Sequence, residues 1–409
     1  MTAPRPPTIS RPLPPELLDR DRRCPFDPPA GLRRLHDEGP VARTRLANGN
    51  AAWVVTGYEQ ARAVLADTRF SSDSFRRPDA TRPQAPLGPD EPRGDGMFIF
   101  MDPPEHTRLR RLLIGQFTVR RMRALEERVR EIAADLVAAM RDGGDRADLV
   151  PSFALPLPSL VICELLGVDY ADRAEFQDHT AVALNLNRSD TERAEASAAI
   201  YRFMQRLVAH KRAHPADDLL SGLAHHTDAA LTDRELVDIA VTLLGAGHET
   251  TANMLALGTY ALLEHPDQLA ALRADPELAD SAVEELLRYL SIIHTGPKRV
   301  ATATVELGGV TIEAGDTVLV SVPETNRDAH HWPEPERLDL GRGRTPHLAF
   351  GHGVHQCLGQ QLARVELKIG LTELLAGLPG LRLDVPAPYV PLRTDMLVFG
   401  VHALPVAWA

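Results

Sequence analysis

The apolar positions of this 409-residue chain fall into two regimes. From His106 to Leu290 they recur every three to four residues, the spacing that lays one apolar stripe along a helix. The longest run is LTDRELVDIAVTLLGAGHETTANMLALGTYALLEHP, beginning at Leu231. Thr232 and Glu235 stand three apart as a capping box, and Pro266 marks the far end. Between them lie about 30 residues, roughly 45 Å of helix at 1.5 Å per residue. Its middle is apolar nearly all round, which predicts a helix buried through the centre of the molecule. After Leu290 the pattern shortens to strands, in RVATATVELGGVTIEAGDTVLVSV, LRLDV and MLVFGVHALPVAW. VARTRL and AAWVVTG flank an Asn-Gly pair and read as a hairpin. The start reads as a loosely structured arm, residues 1–23, with a short helix before Pro40. Ser74 to Gly96 is dense in Pro, Gly, Arg and Asp, and reads as a functional loop rather than a linker. These readings predict one mainly α domain over residues 1–409, with small β-sheets and no repeat.

Composition excludes more than it selects. A net charge of −11 argues against a nucleic-acid binder. No apolar run approaches the roughly 20 residues of a membrane span, and the proline-rich start lacks a signal-peptide pattern. Cys24, Cys163 and Cys357 are too few and too scattered for a disulfide framework, which fits a reducing cytoplasm. Lysine occurs only at 211, 298 and 368 against many arginines, a bias that suggests a GC-rich bacterial genome.

Three stretches carry candidate chemistry. In FGHGVHQCLG, Phe350 to Gly359, a cysteine sits among glycines just before a helical pattern. Glycines there allow sharp bends or close approach, and the helix start favours a thiolate. A zinc site would want further ligands at short spacing. A Cys–His nucleophilic pair remains conceivable, but a glycine-lined thiolate suits an axial haem ligand better. In AGHETT, Ala246 to Thr251, glycines weaken the central helix beside an acid, Glu249, and two hydroxyls. That predicts a kinked groove. In EELLRYL, Glu285 and Arg288 lie i,i+3 on one helix face, ordinarily a weak surface pair.

Taken together, in this order and at these separations, the three stretches resemble those of the cytochromes P450, the haem-thiolate monooxygenases. FGHGVHQCLG resembles the family's cysteine-ligand loop, AGHETT its oxygen-activation motif and Glu285–Arg288 its Glu-x-x-Arg pair. PEPERLDL resembles the meander that gives this pair a second arginine, here Arg337. The likeness runs from about Cys24 to the C-terminus, and HTRLRRLL, AGHETTANM and LPLPSLVICELLGV are most similar to actinomycete enzymes of secondary metabolism and xenobiotic oxidation.

The resemblance implies a large triangular helical domain with a long central helix, and haem b as cofactor. Cys357 would ligate the iron, with Phe350, Gly351, Gly359 and Ala246 against the haem. His106, Arg110, Arg299 and His355 would bind its propionates. Glu249 and Thr250 would organise proton delivery, and Glu285, Arg288 and Arg337 would be structural. The substrate pocket would draw on Phe98, Leu184, Thr242, Leu243, Ala246, Ile293, His294, Thr295, Met396 and Leu397, mostly apolar groups that suit a sizeable lipophilic molecule. Activity would be hydroxylation or epoxidation with O2. With no reductase domain following residue 409, electrons from NAD(P)H would arrive through a separate ferredoxin and its reductase. Arg108 and Arg111 offer a docking patch for an acidic donor. The expected protein is a cytoplasmic monomer that binds neither membrane nor nucleic acid. A peroxygenase would need no acid–alcohol pair, and a haem sensor would show no turnover.

Overall fold

The computed structural model describes residues 13–47, 49–73, 96–116, 119–226, 231–293, 296–343 and 346–409. The expected loop over 74–95 lies outside them, as do residues 1–12, His294 and Thr295.

The N-terminal segment is packed from Leu13 onward, so the loose-arm expectation does not hold for residues 13–20. Leu13, Leu17 and Leu18 are buried with Leu32 of α1 (Ala30–Glu38), since three leucines in six residues have apolar area to bury. They lie under β1 (Val41–Arg45) and β2 (Ala51–Val55), an antiparallel pair with Val41 opposite Val55. The pair is the predicted hairpin, closed by a five-residue loop with Gly49 at φ +89° rather than by a two-residue turn. Next come α2 (Tyr58–Ala66) and β3 (Phe70–Ser71).

The helical block opens with α3 (Glu105–Ile114) and α4 (Val119–Asp142). β4 (Arg146–Asp148) interrupts it before α5 (Pro156–Leu166), α6 (Arg173–Ala183), α7 (Asp190–Ala213) and α8 (Leu219–Ala224). The long helix α9 (Asp233–Glu264), α10 (Pro266–Ala274) and α11 (Ala279–Leu290) complete the block. β5 (Lys298–Ala301), β6 (Val305–Leu307), β7 (Val310–Ile312) and β8 (Thr317–Val320) follow, then α12 (Val322–Thr325) and α13 (Gln360–Gly377). β9 (Arg382–Leu383) and β10 (Pro405–Ala407) end the chain. The main sheet has the order β1-β2-β8-β5-β3, in which β2 and β8 run parallel; β4-β10-β9 and β6-β7 form the other two.

The predicted capping box starts α9. The Glu235 N–H donates to Thr232 Oγ1 at 3.2 Å, and the Thr232 N–H donates to Glu235 Oε2 at 2.8 Å. α9 is α-helical over all its 32 residues, so the glycines do not break it. Its hydroxyls bond back to carbonyls one turn earlier, as Thr242 does to Asp238 and Thr259 to Leu255. Gly247 serves packing instead: a Cβ there would stand 3.0 Å from Ile162 of α5. At Gly370 of α13 a Cβ would come within 2.8 Å of Leu255 and 3.0 Å of Leu157, so α13, α9 and α5 meet closely. This contact seats α13, and with it the cysteine just upstream, against the central helix.

The Glu285–Arg288 pair is buried, not a surface feature. Arg288 is 1% exposed and donates to both Glu285 carboxylate oxygens at 2.8 Å. The second arginine on that carboxylate is Arg342, with Nε 3.1 Å from Glu285 Oε1, and not Arg337. Arg337 turns its side chain outward to Glu334 and offers the network only its carbonyl, which accepts from Arg288 at 3.2 Å and from Arg342 at 2.9 Å. Arg337 stands where the meander backbone turns inward, so its carbonyl is the part within reach. Five residues later the chain has turned enough for Arg342 to point in.

Candidate active site

The site lies between α9 and the loop before α13. That loop bends where the glycines allow. Gly351 and Gly353 have φ of +69° and +71°, and a Cβ on Gly353 would collide with the Leu65 carbonyl at 2.4 Å. Gly359 has an ordinary φ of −82° and caps α13, so its freedom is spatial: a Cβ there meets nothing within 4 Å. The Cys357 N–H donates to Phe350 O at 2.8 Å, which closes the loop. Burial pushes the Cys357 thiol up, while the Gly359 N–H on its sulfur and the Arg110 and Arg364 guanidiniums pull it down. The helix-start argument for a thiolate is thus opposed by desolvation, and the sulfur gains by bonding a cation. Arg364 also covers the Phe350 ring at 4.6 Å. Of the other cysteines, Cys24 is exposed and Cys163 is fully buried in the core.

Four cationic groups gather beside this loop. His106 and Arg110 stand one turn apart on α3, Arg299 comes from β5, and His355 from the loop itself. The His106 and His355 rings are 4.1 Å apart. Burial lowers the affinity of both for protons, and the neighbouring positive charges lower it further, His355 to about 3. Both ring nitrogens of His106 are buried without a hydrogen-bond partner. Buried polar atoms seldom stay unpaired. Two guanidiniums beside two imidazoles, one of them with both ring nitrogens unpartnered, suit an anionic group, and so these residues fit the two carboxylates of a haem.

Across from the loop, α9 presents its accessible side. Ala246 is exposed although α9 is central, and a Cβ on Gly245 would meet no atom within 4 Å. Thr250, one turn on, is partly exposed and donates to Ala246 O at 2.7 Å, while Thr251 is buried. Glu249 is 2% exposed, and sequence reasoning missed its partner: Arg393 Nη2 lies 3.0 Å from Glu249 Oε2. Asn253 donates to the same oxygen at 3.2 Å. A carboxylate buried in an apolar helix signals that a cation must exist, but not which one 144 positions along. His248 is fully buried against Phe176, 5.8 Å between rings, and not on the accessible side.

The expected pocket residues are brought together in part. Leu184 O accepts from the Leu397 N–H at 3.3 Å, and Met396 bridges Asn185. Ile293 bridges Val398. Phe98 is buried in a 3-10 turn, and Gly96 just before it donates to Asp238 on α9 at 3.0 Å. Thr242 and Leu243 follow one turn along, Thr242 buried and Leu243 partly so. Arg108, expected at a docking surface, is tied instead to Glu235 at the α9 cap; Arg111 is exposed.

Residues 170–378 match the family model described as Cytochrome P450. Cytochrome P450 105C1 of a Streptomyces species is 51% identical over 94% of this chain and 96% of its own length. The chain belongs to the cytochrome P450 family. Pentalenic acid synthase of Streptomyces avermitilis is 44% identical, over 96% of this P450 and 98% of that enzyme. Among solved structures, CYP105P1 in complex with filipin I superposes with a TM-score of 0.90 at 43% identity, covering 97% of this P450 and 99% of that chain. Rif16 in complex with R-L gives 0.86 at 55% identity, over 97% and 100%. This P450 is a monooxygenase with haem b as cofactor, acting on a lipophilic small molecule with O2 and with NAD(P)H electrons from redox partners. No helix among the described residues is long and apolar enough to cross a membrane.

Proposed function

We propose that Cys357 would ligate the iron of the haem and that His106, Arg110, Arg299 and His355 would hold its propionates. The observation that carries this reading is the convergence on one loop of a half-buried sulfur, a backbone N–H directed at it, and a group of two guanidiniums and two imidazoles in which both ring nitrogens of His106 lack a partner. Phe350, Gly351 and Gly359 shape the thiolate side, and Ala246 leaves room on the opposite face. When bound, the haem supplies oxygen activation and the thiolate's electron push. The chain supplies the rest. Glu249, fixed by Arg393 and Asn253, stores a negative charge beside Thr250. The Thr250 hydroxyl, partly accessible, passes a proton inward. Phe98, Leu184, Thr242, Leu243, Ile293, Met396 and Leu397 line the apolar side and take a sizeable lipophilic molecule, which is hydroxylated or epoxidised.

The electron donors are a separate ferredoxin and its reductase, and residues 1–409 act as one cytoplasmic, monomeric P450 domain. The test of the ligand is spectroscopic. The reduced carbon monoxide complex should absorb at the thiolate position. Cys357→His should move it to the imidazole position, and an unmoved band sinks the assignment. Cys24→Ser with Cys163→Ser should leave the band in place. A substrate panel read by the haem's absorbance shift then identifies the ligand class.

A further inference from the structure

One cluster of metal-ligating groups takes no part in the site above. His36, in the last turn of α1, meets Asp328 and His330 of the loop after α12. One ligand atom from each lies within 4.8 Å of the other two. Asp328 Oδ1 is 3.2 Å from His330 Nδ1 and 4.0 Å from His36 Nε2.

Two of the ligands are held by their surroundings, while His330 is exposed and its Nδ1 pairs with Asp328 Oδ1. Asp328 is 6% exposed, and its Oδ2 accepts the Tyr58 N–H at 2.8 Å, which turns Oδ1 toward the imidazoles. Its Oδ1 also accepts the His330 N–H at 2.9 Å. His36 is oriented from behind, with Nδ1 3.1 Å from Thr56 Oγ1. The Thr56 hydroxyl also lies 3.4 and 3.5 Å from the carbonyls of Gly39 and Pro40, which hold it in place. With Nδ1 engaged by Thr56, His36 presents Nε2 toward Asp328. A single metal ion could engage one atom of each of the three side chains.

We propose that His36, Asp328 and His330 bind a divalent transition-metal ion of the zinc type. Ligands at the zinc distances of about 2.0–2.1 Å lie roughly 3.3 Å apart in a tetrahedron, close to the 3.2 Å found and within a small ring rotation of the 4.0 Å. Two imidazoles and one carboxylate suit Zn2+, whereas Mg2+ and Ca2+ want oxygen. Water completes the fourth position. Thr56 behind His36 and the Tyr58 N–H on the far oxygen of Asp328 are the outer partners that metal ligands ordinarily have. The bound ion would fasten α1 to the loop whose Asn326 carbonyl holds Arg288.

The test is calorimetric titration of the haem-loaded, tag-free protein with ZnCl2 at pH 7.5, after EDTA treatment and dialysis. We expect one site of micromolar or tighter affinity, a rise in Tm that EDTA reverses, and no heat from MgCl2. His36→Gln and His330→Gln should each weaken that site at least tenfold while the carbon monoxide spectrum stays unchanged. His214→Gln, which breaks a surface pair of stacked imidazoles, should leave it alone. The same zinc isotherm in both cluster variants overturns the proposal, as does binding no tighter than millimolar in the parent protein.

Discussion

Glu249 is held by Arg393 and by Asn253, which donates to both its carboxylate and its carbonyl, so each neighbour can be tested by what its loss exposes. Arg393→Ala strands a buried carboxylate and should cost about 3–5 kcal/mol in chemical unfolding. Adding Glu249→Gln should recover much of that loss, because a neutral amide needs no counter-ion. The hydroxyls beside it divide by exposure. Thr250→Ala should keep substrate binding and electron uptake but release hydrogen peroxide in place of much of the product, since misdirected protons free the peroxide. Thr251→Ala, buried away from the accessible side, should stay better coupled. Product formed per NAD(P)H oxidised decides between them, and equal or worse coupling at Thr251 would place the alcohol on the wrong residue. Local chemistry of this kind was legible in the sequence: a cysteine among glycines and an acid beside an alcohol are neighbours in the chain. Arg393 was not, because nothing in a linear pattern says which distant arginine a fold will carry to a buried acid.

At the level of elements, periodicity read well and connections less so. The 32-residue central helix, its capping box and the hairpin all follow from local signals. The glycines do not interrupt the helix, since Gly247 faces Ile162 closely and the hydroxyls found carbonyls within the helix. The meander shows the same limit. Arg337 and Arg342 are five positions apart in an irregular segment without a period to tell which points inward. The structure makes the difference measurable. Arg342→Ala leaves Glu285 with one guanidinium and strips three carbonyls of a donor. It should yield poorly folded, haem-deficient protein. Arg337→Ala removes only an exposed contact with Glu334, and should keep normal haem content. Equal haem loss in the two variants would contradict this assignment.

Across the molecule, one buried acid sets a pH dependence. Glu366 on α13 is 3% exposed, one of its oxygens has no partner, and burial raises its carboxyl to about 8. In the unfolded chain it ionises above about 4.5. Folding must therefore keep a proton that the unfolded chain has released, and stability falls as pH rises from 4.5 to 8. Glu366→Gln should remove the penalty, raising stability at pH 7.5 by on the order of 3–4 kcal/mol and leaving it nearly unchanged at pH 4.5. Denaturant titrations at the two pH values check it; an equal gain at both would mean that packing, not ionisation, governs the site.

The main sheet also has a temporal side. Its central pairing sets β2 beside β8, and the Trp53 indole donates to Asp316 across a sequence separation of 263 residues. On a ribosome adding about 5–20 residues per second, the hairpin waits some tens of seconds for that partner. Through that interval one edge of β2, rich in Ala and Val, offers unpaired N–H and C=O groups to any other strand. The nascent chain is thus most prone to association before β8 leaves the exit tunnel. Faster translation should raise the soluble yield, and pausing between residues 56 and 316 should lower it.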